Sequence, residues 1–205
     1  MSETSPVSKT PNAEIPGRRK RVNRREQILR TAADAFATQG FHNTSLADIA
    51  AMLNITPAGV LHHFGSKTDL LTAVLELRDD AEPAPEGDGM LDHLIATAER
   101  NAERPGTTQL YAVLSAESAT ADHPAQEWFR NRYRVLRQEI ASAVLDRLDP
   151  ESGDLSRVDD AAAAVIAVMD GLQVQWLLEP EAVDMPAVTE LVIDAVVARL
   201  SQETH

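Results

Sequence analysis

The chain has no cysteine, only eight aromatic residues (four Phe, two Tyr, two Trp), and no uninterrupted apolar run of membrane-spanning length. Without thiols there is neither a disulfide framework nor a thiolate metal site, and a reducing compartment is the fitting one. The opening segment has no apolar core, and Pro6, Pro11 and Pro16 interrupt it. Neither a secretion signal nor a membrane span is expected, so the reading is a cytoplasmic protein without membrane contact. No strand-period alternation of any length appears. Also missing are a phosphate-binding glycine loop, a nucleophile elbow and a paired-histidine protease motif. The sequence thus gives no reason to expect an enzyme, a cofactor or a bound metal.

What is present is a soluble-looking chain of 205 residues, 43% apolar, with a net charge of −13. That average conceals two territories. Residues 1–80 hold ten Lys/Arg against nine Asp/Glu, whereas residues 81–205 hold nine against twenty-three. Charges are screened over about 8–10 Å at moderate salt, so a polyanion meeting the first territory hardly feels the second. An acidic average therefore does not exclude a nucleic-acid partner.

Residues 1–17, rich in Ser, Thr, Pro and Asn, read as a disordered tail. Arg18, Arg19, Lys20 and Arg21 follow, then Arg24 and Arg25. Asn23 with Glu26 resembles a capping box that starts a helix near Arg24, and Gly40 stops it. Thr44 or Ser45 caps a second helix carrying Leu46, Ile49 and Ala50, which breaks at Leu53-Asn54-Ile55. Thr56-Pro57 opens a third, with a hydroxyl cap and proline where its missing N–H is harmless. That helix ends near Gly65, and Ser66 caps a fourth. Asp79 to Gly89 is acidic and rich in Pro and Gly, hence a linker or exposed loop. Helical stripes then recur through Leu91–Ala98, Leu110–Leu114, Trp128–Leu148, Asp159–Leu178 and Pro186–Leu200. The expected fold class is all-α. A three-helix helix-turn-helix domain with a basic N-terminal arm spans 18–75, and a second helical domain spans 76–205.

Residues 44–64 have the plan of a helix-turn-helix, two short helices whose second is offered to the DNA major groove. Thr56, Ala58, Gly59 and His62 are small or polar, which permits close approach to base edges. Gly59 costs about 1 kcal/mol of helix propensity relative to alanine; close approach to DNA or relief of packing explains it equally well. His62 and His63 are neighbours about 100° apart on a helix and are poorly placed to share a metal. His42, His93, His123 and His205 show no ligand spacing.

The run Thr44-Ser45-Leu46-Ala47-Asp48-Ile49-Ala50, continued by Ile55-Thr56-Pro57-Ala58-Gly59-Val60-Leu61-His62-His63-Phe64-Gly65-Ser66-Lys67, resembles the DNA-binding domain of the TetR family. So does Arg25-Glu26-Gln27-Ile28-Leu29 with Ala35-Phe36 and Gly40-Phe41. The resemblance implies a homodimer that binds a double-stranded DNA operator and responds to a small-molecule effector of unknown identity. It puts Thr56, Pro57, Ala58, Gly59, His62 and His63 on the recognition helix or its exit. It further makes Ser45 and Lys67 phosphate anchors and leaves Ala47 a methyl contact with thymine at most. Two positions depart from the family pattern. Leu61 stands where tyrosine is usual, removing a phosphate-contacting hydroxyl, and Asn54 replaces a turn glycine. The Arg18–Arg21 arm reads either as a solvated charge cluster or as a tracker of the phosphate backbone or minor groove.

For the body, the resemblance implies that the last two helices pair with a second copy. Val165, Val168, Leu172, Trp176, Leu191, Val192 and Val196 are the expected interface, with intramolecular core as the plain alternative. An effector pocket is likewise implied by the resemblance. Its candidate lining is Tyr111, Glu117, Trp128, Tyr133, Met169, Gln173 and Trp176, the polar or aromatic interruptions of apolar helices. The expected function is a ligand-released repressor. The alternatives are an activator or global regulator of the same fold, or an interaction module that has lost its operator.

Overall fold

The computed structural model describes residues 23–80, 89–148 and 155–201. The expected tail, the arm residues Arg18, Arg19, Lys20 and Arg21, and most of the acidic Asp79–Gly89 segment lie outside these. Nine α-helices are present among the described residues: α1 (Arg24–Asn43), α2 (Leu46–Met52), α3 (Pro57–Phe64), α4 (Lys67–Asp80), α5 (Gly89–Glu103), α6 (Pro105–Ser118), α7 (Gln126–Arg147), α8 (Val158–Leu178) and α9 (Met185–Ser201). A 3-10 turn, Leu155–Arg157, leads into α8, and no strand occurs among the described residues. The all-α expectation is met.

Local chemistry sets the helix ends. Asn23 caps α1 by accepting from the Arg25 N–H at 3.2 Å. The expected reciprocal box with Glu26 does not form, because the Glu26 carboxylate pairs with Arg30 one turn on. A reciprocal box does form at α2, where Ser45 and Asp48 satisfy each other's backbone N–H groups. Asn54 takes φ 52° in the turn and Gly65 takes φ 71° after α3, the left-handed conformation each residue type tolerates. Thr56 accepts from the Gly59 N–H at 3.1 Å, with Pro57 in the first helical position.

Three apolar clusters hold the helices together. The first joins Ile28, Phe36, Ile49, Val60, Leu70 and Leu71 of α1–α4 to Leu110, Leu114 and Phe129 of α6 and α7. It runs straight across the 75/76 boundary expected between domains, and α1 lies along α6. The second joins α5, α7, α8 and α9 through Leu91, Ile140, Val144, Val165 and Ile193. The third is a small knot of Ala98, Leu172 and Met185, with Val168 and Trp176 packed on its edge.

This packing corrects the expected partner face. Val165 and Leu172 are only 1% and 4% exposed, because both point into their own protomer. Val192 and Val196 are half-buried against the second cluster. Leu191 remains 65% exposed, with Val174 and Leu178 of α8 also open. Over its most apolar stretch α8 has a mean hydropathy of 1.5 and is long enough to cross a membrane, a feature the expectation of no span passed over. Its inner side is seated on α7 and α9. The excess apolarity comes from a second side, Ala163, Ala164, Ala167, Val174 and Leu178, which the protomer leaves uncovered.

Candidate nucleic-acid interface and interior cavity

In the amphipathic pattern of α3, Val60 and Phe64 turn inward, 0% and 7% exposed. Ala58 and His62, one turn apart, are exposed on the opposite side with Pro57, Leu61 and His63, while Gly59 is half-buried. Thr56 sits exposed at the start of the helix, and Ser45 and Ala47 are exposed at the start of α2. The His62 and His63 rings meet edge to face, with centroids 5.5 Å apart. Small side chains at Ala47, Ala58 and Gly59 leave a shallow surface flanked by one imidazole, the shape that lets a helix enter a major groove. Arg25 places its guanidinium 4.9 Å from the centre of the Phe64 ring, tying the base of the N-terminal arm to the exit of α3.

Two expected anchors are more constrained than the sequence suggests. Ser45 Oγ accepts from the Asp48 N–H at 3.1 Å and donates to the Asp48 carboxylate at 2.6 Å. The Ser45 hydroxyl and, at 2.9 Å, the Ser45 N–H donate to that carboxylate and hold the Asp48 carboxyl below the usual carboxylate range, and a DNA phosphate must compete with it for the hydroxyl proton. Lys67 Nζ lies 4.1 Å from the centre of the Phe41 ring. Partial burial lowers its pKa, with Glu117 and Asp48 opposing the shift. The ammonium thus faces the junction between α1, α4 and α6.

Glu117, expected in an effector pocket, belongs to that junction instead. Its carboxylate accepts from the Phe41 N–H at 2.8 Å, a donor left free where Gly40 breaks α1 with φ 76° and ψ 166°. A Cβ at Gly40 would run into the same carboxylate. His123 Nε2 is 3.8 Å from Glu117, and its imidazole is fully buried. The Ala125 N–H donates to Nδ1 at 3.2 Å, which fixes the proton of the neutral ring on Nε2. Desolvation depresses the His123 pKa; Glu117 pulls it up, and His42 and Lys67 push it further down. No sequence signal announced this junction, since its partners are 76 residues apart.

An interior cavity of about 400 Å³ opens between α1, α4, α5, α6 and α7. Leu29, Ala33, Val74, Leu77 and Leu110 are its apolar lining residues, and Arg30, Asp34, Arg100, Arg104 and Arg132 its charged ones. A smaller cavity of about 70 Å³ adjoins it through His93, Thr97, Asn101 and Arg132, reaching Asp170 and Gln173 on α8. Of the expected lining, Tyr111, Met169 and Gln173 do face the smaller cavity. Tyr133 donates to the Asp170 carboxylate at 2.6 Å, and burial first, then that carboxylate and Tyr111, push its phenol well up. Trp128 packs on the first cluster and Trp176 on the third, and neither lines these two cavities. The arginines went unnoticed in the sequence. One signal was legible: Asn101 continues the buried Leu94–Ala98 stripe and is 8% exposed, a polar residue where the helical period asks for an apolar one.

Residues 28–74 match the family model of bacterial regulatory proteins, tetR family, and residues 88–201 that of the BetI-type transcriptional repressor, C-terminal. The chain is 30% identical over 196 residues to the HTH-type transcriptional regulator TtgR of Pseudomonas putida, covering 83% of this chain and 88% of that one. Its fold matches that of NalD, the secondary repressor of the MexAB-OprM multidrug efflux pump in Pseudomonas aeruginosa. The TM-score is 0.67 at 19% identity, over 88% of this chain and 97% of the other. A transcriptional regulator from Saccharomonospora viridis in complex with choline has a TM-score of 0.63 at 23% identity, over 84% of this chain and 94% of the other.

Proposed function

The chain belongs to the TetR family of transcriptional regulators and is not an enzyme, and from that premise we propose that it is a ligand-released repressor. As a homodimer in the cytoplasm it holds a palindromic operator with two copies of α3 about 34–36 Å apart, one DNA turn. A small molecule in the interior cavity favours a state with the wrong spacing and frees the DNA. The observation that carries this reading is the wall of the cavity. Leu29, Arg30, Ala33 and Asp34 of α1 and Val74 and Leu77 of α4 line it together with residues of α5, α6 and α7. A molecule seated there touches α1 and α4, the two helices that pack against the reading helix and its partner. A coupling of about 1–3 kcal/mol between two such sites changes operator affinity roughly 5–150-fold.

Within α3, Ala58, Gly59 and His62 read bases. Thr56, Pro57 and His63 flank them, Ala47 adds a methyl, and the backbone contacts come from Ser45, Lys67 and the Arg18–Arg21 arm. Val168, Trp176, Leu191, Val192 and Val196 stay at the edge of the α8–α9 pairing surface, whose centre passes to the exposed residues between them.

The test is fluorescence anisotropy of the full chain with DNA from upstream of its own gene and with a scrambled duplex, at several salt concentrations. Selective binding that weakens steeply with salt is expected. Equal, weak binding to all DNA tested across a genomic library overturns the operator reading.

A further inference from the structure

Three of the nine Lys/Arg residues that the acidic body possesses line the larger cavity: Arg100, Arg104 and Arg132. Arg30 of α1, paired with Glu26, also lines it; Asp34 is the only carboxylate facing that cavity among the described residues, and Glu139 and Asp170 line the adjoining one. In a body with twenty-three Asp/Glu, an unbiased wall would carry the opposite balance. The same cavity is lined by leucine, valine and alanine from α1, α4 and α6, with no phenylalanine, tyrosine or tryptophan among the described lining residues. The combination is amphipathic: a fork of N–H donors suited to a planar anion, and an apolar surface suited to hydrocarbon. It is a poor cage for a quaternary ammonium, which is held by aromatic faces and repelled by guanidinium groups. At the far end of the adjoining cavity, Gln173 is 5% exposed and its Oε1 has no hydrogen-bond partner. A buried carbonyl oxygen without a donor is costly, and an N–H or O–H group on a bound molecule would satisfy it.

The geometry points to an effector that is an organic carboxylate with an apolar body, its head against Arg100, Arg104 and Arg132 and its hydrocarbon against α1 and α4. This rests on the reading of the cavity as the effector site. It also implies that charge pairing at α5–α7 is joined, through one molecule, to apolar contact with the DNA-binding helices.

The closing experiment compares three probes of one shape and different charge on the full chain without DNA: 4-phenylbutyrate, 4-phenylbutanol and 4-phenylbutylammonium. Binding is read by calorimetry and by displacement of anilinonaphthalene sulfonate. The carboxylate should bind about tenfold or more tightly than either of the others, as charge-assisted pairing to arginine requires. Arg104→Gln, at an exposed position, and Arg100→Gln should each erase most of that preference while circular dichroism stays unchanged. Equal binding of the three probes, preference for the ammonium, or a carboxylate preference that survives both substitutions overturns the inference. Operator release is scored separately by anisotropy. A carboxylate that binds at the arginines yet leaves the DNA bound upholds the anion site and overturns the repressor-release reading.

Discussion

At the scale of single residues, the junction around Gly40 and Glu117 carries the sharpest consequences. Gly40 occupies a region of backbone space open essentially to glycine, costing other residues about 1–3 kcal/mol, and its missing Cβ makes room for the Glu117 carboxylate. Gly40→Ala should therefore lose more stability in urea than Glu117→Ala, which strands one half-buried N–H at a cost of about 1–3 kcal/mol; the reverse order would separate the two groups. His123 sets a pH dependence. Its pKa is depressed in the folded chain, so the unfolded chain binds the proton more readily. The contribution to stability is then complete above the ordinary histidine range and is lost as pH falls below about 6.5. Between pH 7.5 and 5.5 the melting temperature of His123→Gln should fall less than that of the parent chain. None of this was legible beforehand. Glu117 looked like an isolated acid in an apolar helix, and contacts across 76 residues leave no local pattern.

Helices tell a different story, because their signals are local. Thr56-Pro57, Asn54 and Gly65 each act within a few residues, so the turn and both ends of α3 could be read from the sequence. Where two partners compete, local reading fails, as at Asn23, where Glu26 chose Arg30 over the cap. For α8, periodicity marked the helix but could not say which apolar side was inner, so Val165 and Leu172 were placed on the wrong one. Two predictions belong to this scale. His62→Ala should weaken binding to the preferred DNA by about 1–3 kcal/mol per lost base contact, roughly 5–150-fold, and leave scrambled DNA nearly unaffected; uniform weakening on both would make His62 a phosphate contact. Leu191→Lys combined with Val174→Glu, on the open side of α8 and α9, should shift the sedimenting species from dimer to monomer. It should abolish operator binding with helicity retained.

For the whole molecule, the division of charge proved more informative than the total. The acidic body shares with α1 and α4 a cavity whose described charged lining is mostly arginine, a distribution that composition alone could not expose. The first core is shared across the expected 75/76 boundary. Leu110, Leu114 and Phe129 complete the packing of Ile28, Phe36 and Leu71. Cut at that boundary, the DNA-binding helices would present to water the apolar surface that α6 and α7 now cover. A chimaera that exchanges reading heads between two such proteins would therefore have to carry the facing side of α6 along with the head, or repack it. Sensor engineering in this chain begins at a seam inside the body, and the natural unit of exchange is larger than the helices that touch DNA.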